Sequence, residues 1–275
     1  MTKEDEYFLA SAQDKIGKCR DNYMMTRTDF LDMHRRTLLT QLCRREKDFF
    51  FGYYGGYEDA ERTVCFFVPD YMLDDPSFSK FGHTGREIPF EAFKTYFESN
   101  PDDNPLSCLQ MQSGGGKELS HRDYLGALTG LGVRREKAGD ILVRKDGADI
   151  VILGEISDFL LANYRKAGRS ELSAQLADVR MLQVPENLFR DFKDTVSSLR
   201  LDNIIASAFS LSRSKAQEAV TSGLVFVNSL QVQKTDAPVH EGDKLVLRGK
   251  GKVILLEIGG STRKDRTFVT LRQYL

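Results

Sequence analysis

The run Arg200-Leu201-Asp202-Asn203-Ile204-Ile205-Ala206-Ser207-Ala208-Phe209-Ser210-Leu211-Ser212-Arg213-Ser214-Lys215-Ala216-Gln217-Glu218-Ala219-Val220 holds the clearest structural pattern in the chain. Leu201, Ile204, Ile205 and Ala208 fall on one face at helical spacing, which makes the first part a short helix. Ser212 is a natural N-cap for a second helix over 213–222; its apolar face is Ala216, Ala219 and Val220, and Gly223 stops it. Arg213, Ser214, Lys215 and Gln217 then stand at or near the open N-terminal end of that helix. A helix start presents unpaired N–H groups and a partial positive charge, so two cations in its first turn complete a phosphate seat. The same two cations oppose the helix dipole at a cost of about 0.3–1 kcal/mol each, a conflict that a bound anion removes.

Downstream, Val225-Phe226-Val227-Asn228 alternates like a strand, Asn228-Ser229 reads as a turn, and Leu230-Gln231-Val232-Gln233 alternates again, which predicts a hairpin. A loop over 236–243 leads to a strand at 244–248 and then to Gly249-Lys250-Gly251-Lys252. The glycines there allow close approach of the backbone to a partner, and Arg248, Lys250 and Lys252 supply charge. The net charge of −1 conceals this basic end. From Leu199 to Leu275 there are 12 Lys/Arg against 7 Asp/Glu, while the remainder holds 27 against 33. Such a split is expected when one domain faces phosphate and another does not.

Working toward the N-terminus, Pro185 and its polar neighbours mark a boundary, so 184–198 is expected to be a linker. Before it lie strand candidates at 106–112, 140–144, 149–153 and 172–179 and helix candidates at 120–130 and 156–167. The order strand, helix, strand, strand, helix, strand is that of a ferredoxin-like domain, the architecture of many RNA-recognition (RRM) domains. The strands lack the aromatic motif with which such domains stack bases, which argues against that mode of binding here. Further upstream, helical spacing predicts helices at 3–20 and 27–47, and the aromatic runs at 49–56 and 63–68 predict strands whose rings form a core.

At 275 residues the chain is long enough for two or three domains, at about 100–200 residues each. An acidic N-terminus, Met1 to Glu6, and the lack of any long apolar run point to a cytoplasmic protein with no membrane insertion. Cys19, Cys43, Cys65 and Cys108 are spaced too widely for a zinc pair or a redox motif and read as buried free thiols. No cofactor or metal is implied.

The blocks Arg200-Leu201-Asp202, Ser212 to Ala216, Gly223 to Asn228 and Glu241-Gly242-Asp243-Lys244-Leu245 together resemble the RNA-binding module named after ribosomal small-subunit protein S-four. The resemblance places RNA contacts on Arg200, Arg213, Ser214, Lys215 and Gln217, assisted by Asn228 and Lys234, with Asp202 orienting Arg200. Further blocks, His121 to Leu128, Leu131 to Ile141, Arg248-Gly249-Lys250-Gly251 and Lys264-Asp265-Arg266, resemble the YlmH family. That bacterial family is encoded among cell-division genes and is associated with the large ribosomal subunit and tRNA, including rescue of stalled ribosomes. The resemblance implies a non-enzymatic protein whose partners are rRNA or tRNA, and it raises a second RNA surface at His121, Arg122, Arg134, Arg135 and Lys137. The expected fold is α+β: an N-terminal α+β unit over 1–68, a ferredoxin-like domain over 69–183, the linker, and an S-four-type domain with a basic extension over 199–275.

Enzyme motifs fail on inspection. His121-Arg122-Asp123 has Leu128 where a kinase loop needs a magnesium-binding Asn, and the segment ending Gly116-Lys117 has Met111 and Glu118 where a phosphate-cradling loop needs Gly and Ser or Thr. Two other functions compete with RNA binding: a cell-division scaffold using the acidic two-thirds, and an RNA-modifying enzyme of pseudouridine synthase type, a class to which S-four modules are often joined.

Overall fold

A computed structural model of the chain describes residues 2–81, 86–114, 118–184, 189–262 and 264–274. The chain divides into two compact units, 1–185 and 186–275. The segment 185–187, read as a boundary, and part of the glycine turn at 115–116 lie outside the described residues.

The first unit opens with α1 (Lys3–Asn22), where Thr2 and Asp5 exchange hydrogen bonds in a capping box and Glu4 and Glu6 add favourable charge to the first turn. The helix expected over 27–47 is corrected in its first part. Residues Thr26–Leu31 form a strand, β1, and α2 (Met33–Arg45) begins only after Asp32, whose carboxylate accepts from the Arg35 N–H at 2.9 Å. Phe30 and Leu31 fit a helical face by spacing alone, but they pair antiparallel with Val64 and Thr63, and that long-range ladder overrides the local period. β2 (Phe50–Tyr54), β3 (Thr63–Val68), the short helix α3 (Pro76–Ser79), β4 (Glu87–Ile88) and α4 (Phe90–Ser99) follow. The sheet order is β1-β3-β2-β4, with β4 parallel to β2. Its aromatics form a core as expected: Tyr54 and Phe66 each lie 5.1–5.3 Å from Phe97 between ring centroids.

Next come β5 (Leu106–Ser113), α5 (His121–Gly130), β6 (Ala138–Arg144), β7 (Gly147–Leu153), α6 (Ser157–Asn163), β8 (Lys166–Ala167) and β9 (Ser170–Asp178). The sheet order is β6-β7-β5-β9-β8, antiparallel throughout. Its four long strands have the ferredoxin-like order, the fourth beside the first and the third between the first and second. α6 stops at Asn163, short of the expected 167, because Lys166 and Ala167 leave the helix to pair with β9.

β7 is buried at every position. Ala148, Ile150 and Ile152 pack with Tyr124, Leu128 and Leu160 from α5 and α6, while Val151 and Leu153 pack with Phe30, Tyr54 and Phe93. The sheet face on which RRM domains stack bases is therefore covered by the aromatic core of the first sheet. The expected division at 68/69 is corrected for the same reason: the two sheets share a core and belong to one compact unit.

The second unit begins with a further correction. Phe189–Val196, within the expected linker, is a strand, β10, paired along its whole length with the C-terminal strand. It is followed by α7 (Leu201–Ala208), α8 (Arg213–Thr221), β11 (Val225–Val227), β12 (Leu230–Gln231), β13 (Lys244–Leu247), β14 (Gly251–Ser261) and β15 (Thr267–Tyr274). The basic extension is thus a long hairpin inside a six-stranded antiparallel sheet of order β10-β15-β14-β13-β11-β12. The two helices cover one face: Leu201, Ile204, Ile205, Ala216 and Val220 meet Val225, Leu245, Leu247, Val253, Leu255, Val269 and Leu271 in one core. All four cysteines are free and buried, and among the described residues no helix is long and apolar enough to cross a membrane.

Candidate RNA interface

α7 starts at a backbone crossing. Arg200 forms an isolated bridge with Pro238, and the N–H groups of Leu201 and Asp202 donate to the carbonyls of Ala237 and Thr235. These bonds satisfy donors that a helix start leaves open, and they bring the 234–238 loop, with Lys234, beside Arg200. Lys234 makes a loose pair with Asp236 at 3.8 Å and remains 75% exposed.

Asp202 is fully buried and joins the two helices. Its carboxylate accepts from Arg200 Nε at 3.1 Å and Nη2 at 3.0 Å, and from Gln217 Nε2 of α8 at 2.9 Å. Burial works to raise the pKa of this carboxyl, but the donors from Arg200 and Gln217 outweigh it and hold it below the usual aspartate value. The hydrogen bond to Asp202 raises the Arg200 pKa in turn. The guanidinium is thus aimed from one side by a buried anion while its outer part stays accessible. Gln217, expected among the RNA contacts, spends its amide on Asp202 and acts on the site through Arg200.

At α8, the Ser212 hydroxyl accepts from the Lys215 N–H at 3.3 Å and lies 3.2 Å from the Ser214 hydroxyl. Arg213, Ser214 and Lys215 are exposed, no acidic residue stands in the first turn, and neither cation has an ion-pair partner among the described residues. The start of α8 is therefore an uncompensated positive end next to the tethered Arg200.

The other expected residues lie elsewhere. Asn228 has φ +49° and Ser229 φ +66°, the geometry of a tight hairpin turn. The Asn228 amide donates to Asp243 at 2.8 Å and accepts from the Lys244 N–H at 3.0 Å, so both of its ends serve the turn. Arg248 stands 5.7 Å over the Phe226 ring, Lys250 is exposed in the turn before β14, and Lys252 lies 4.1 Å over the Tyr274 ring. These three form a separate basic group around the start of β14.

In the first unit, the five residues of the possible second surface divide. Arg135 donates to the carbonyls of Ala138 and Gly139, and burial together with neighbouring Arg62 pushes its pKa down to about 10. Lys137 bridges Asp29 at 2.8 Å and Glu155 at 2.6 Å, tying β1 to the second sheet. Both are spent inside the unit, which corrects their reading as surface contacts. His121, Arg122 and Arg134 remain exposed, although Arg134 also approaches Asp29 at 3.7 Å. Sequence reasoning missed the half-buried Arg62, which donates to the carbonyls of Phe30, Arg135 and Ala138. The only signal for it would have been an arginine beside a strand of otherwise apolar residues.

Comparison with known proteins matches two segments to family models. Residues 116–181 match the "Putative RNA-binding domain in YlmH" and residues 199–245 match the S4 domain. A curated relative, "Ribosome-associated protein quality control protein P2" of Bacillus subtilis (strain 168), is 31% identical over 271 residues, covering 98% of this chain and 96% of its own. A solved structure, "Cell division protein ylmH from Streptococcus pneumoniae", aligns at a TM-score of 0.46 and 21% identity over 64% of this chain and 93% of that one. Because the Bacillus relative is matched across nearly its full length, the chain belongs to the YlmH family, with an S4 domain in its C-terminal unit.

Proposed function

We propose that this protein acts in translation by binding structured RNA, either rRNA of the large ribosomal subunit or tRNA, and that it takes part in the rescue of stalled ribosomes. The observation that carries the reading is the start of α8, where exposed Arg213 and Lys215 have neither an acidic neighbour in the turn nor an ion-pair partner among the described residues. Arg200, held by Asp202, and Lys234 on the adjoining loop extend that positive end. Phosphate contacts of this kind set register and affinity, and selection among RNAs then comes from shape rather than from base sequence. The name of the Bacillus relative supports the link to ribosome-associated quality control. Binding, not chemistry, is the proposed activity.

The test is binding of Arg213→Ala with Lys215→Ala to a structured RNA across a salt series. Each lost phosphate contact lowers the slope of log affinity against log salt by about 0.9, so the double variant should lose about 1.8. An unchanged slope and affinity would remove α8 from the interface. Sedimentation of a lysate at low salt should place the protein with large subunits, and its absence from them would refute the ribosomal partner.

A further inference from the structure

The sheet of the second unit has a face turned away from its helices, on which aromatic rings stand among charged side chains. Phe192 and Val196 of β10 pack toward α7 and α8, so alternation puts Phe189, Asp191, Lys193 and Thr195 on the opposite side. The β10–β15 register sets these opposite Tyr274, Arg272, Thr270 and Phe268. β14 contributes Lys252, Ile254 and Glu257 to the same face, and β13 contributes Lys244 and Val246. Phe189 and Tyr274 meet edge to face at 4.9 Å, with Arg272 at 5.1 Å from the Phe189 ring. Phe268 stands alone at the other end. A Cβ on Gly259 would stand 3.1 Å from the Phe268 Cβ, so glycine there lets the two strands pass closely at the base of this side chain.

Phe189 and Phe268 are each 46% exposed. Open ring surface therefore stands at both ends of this face, from Phe189 beside Tyr274 at one end and from Phe268 at the other. The charges say which partner suits it. The face carries Lys193, Lys244, Lys252 and Arg272 against Asp191 and Glu257, and Asp191 is held by Arg272 in a two-pronged pair at 2.7 and 2.8 Å. Aromatic rings spaced among an excess of cations are the means by which sheets bind single-stranded nucleic acid, since bases stack on rings and phosphates lie on cations. From Tyr274 to Phe268 is six residues of β15, about 20 Å of strand. That corresponds to roughly six nucleotides at stacked spacing, within the usual range for one such platform.

We infer that this face is a second RNA site, which takes an unpaired stretch of the RNA whose structured part the start of α8 seats, by stacking bases on Phe189, Tyr274 and Phe268. The inference rests on the RNA-binding reading above, and it makes a separate claim: one unit grips paired and unpaired RNA on different surfaces.

The experiment uses the full-length protein and two probes, an unstructured 12-nucleotide RNA carrying 2-aminopurine and a blunt, fully paired RNA hairpin. The variant is Phe189→Leu with Phe268→Leu, which keeps apolar bulk and removes the rings. The wild type should quench the 2-aminopurine, and the variant should bind the 12-mer about tenfold more weakly while binding the hairpin within twofold of wild type. No quenching by the wild type, or full 12-mer affinity in the variant, would overturn the proposal. So would a wild-type dimer in sedimentation that Phe189→Ala with Phe268→Ala dissolves, because the face would then be a contact between copies. Hairpin binding that survives Arg213→Ala with Lys215→Ala sinks the α8 reading instead, so the two failures can be told apart. Quenching by the wild type needs no variant, which keeps the proposal open to refutation even if a substitution unfolds the sheet.

Discussion

Replacing Asp202 with Asn tests the internal linkage that holds Arg200, an arginine of the proposed RNA interface. The carboxylate has no exposure and three donors, two from Arg200 and one from Gln217. Hydrogen bonds to a buried ionised group contribute about 1.5–3 kcal/mol each where both partners are dry. The Arg200 end reaches water, and solvent screening removes most of its value. What Asp202→Asn loses is then chiefly the charge that Gln217 meets in the dry interior, while one amide oxygen remains as an acceptor. The expected loss is about 1.5 kcal/mol, or a little over tenfold in the opening equilibrium of α7 and α8. Hydrogen exchange followed by mass spectrometry reads this directly, as faster exchange of amides in 201–221 with strands of the first unit unchanged. The pH dependence has a definite sign. Because the folded pKa of Asp202 is depressed, its stabilisation is complete above the ordinary aspartate pKa of about 3.9 and is lost as pH falls through the lower, folded value. The variant should therefore differ from wild type at neutral pH, and the difference should shrink in strong acid. Equal exchange in the two proteins at neutral pH would mean that the carboxylate merely fills space, and the account of how Arg200 is aimed would fall.

Two other perturbations probe the first unit. Lys137→Met should cost about 1–2 kcal/mol in chemical denaturation, between the values for exposed and fully buried pairs. Burial acts to lower the Lys137 pKa, but Asp29 and Glu155 raise it, so in wild type this stabilisation holds below the ordinary lysine pKa of about 10.4 and disappears as pH rises through the folded value. A wild-type stability that does not fall relative to the variant above pH of about 10.4 would contradict the bridge. Gly139→Ala should cost about 1–3 kcal/mol, because its Cβ would stand 2.7 Å from Phe30 and 3.1 Å from Val151 where the two sheets meet. Adding Phe30→Leu should return part of that loss, and a thermal melt showing no rescue would place the strain elsewhere.

Local chemistry made α7 and α8 legible, because their apolar spacing, the Ser212 cap and Gly223 act within a few residues of one another. The ferredoxin-like order was legible for a similar reason, since each strand or helix carries its own period. What could not be read depends on partners far along the chain. β10 reads as linker because Phe189-Arg190-Asp191-Phe192-Lys193-Asp194 carries too much charge for a buried strand, and the strand that pairs with it lies some 80 residues away. β1 reads as helix because Phe30 and Leu31 satisfy both periods, and only its pairing with β3 decides between them. The site shows the same limit: Arg135 and Lys137 look like a basic cluster, yet the acid that occupies Lys137 is Asp29, 108 residues earlier.

The cations of α8 gain meaning from α2, the other helix of comparable length with no acidic residue in its first turn. There too arginines stand against the helix dipole, and the fold resolves the conflict internally: Arg35 pairs with Glu136 at 3.0 Å and Arg36 lies 4.2 Å over the Tyr53 ring. α1, α4, α5 and α7 avoid the conflict altogether with Glu4, Asp5 and Glu6, Glu91, Asp123 and Asp202. In α8 the fold does neither. Arg213 and Lys215 oppose the dipole at about 0.3–1 kcal/mol each, and no ion pair among the described residues offsets it. A chain that balances its other long helix starts leaves this one open, and a bound anion would offset the cost there, which is what the proposed phosphate contacts require.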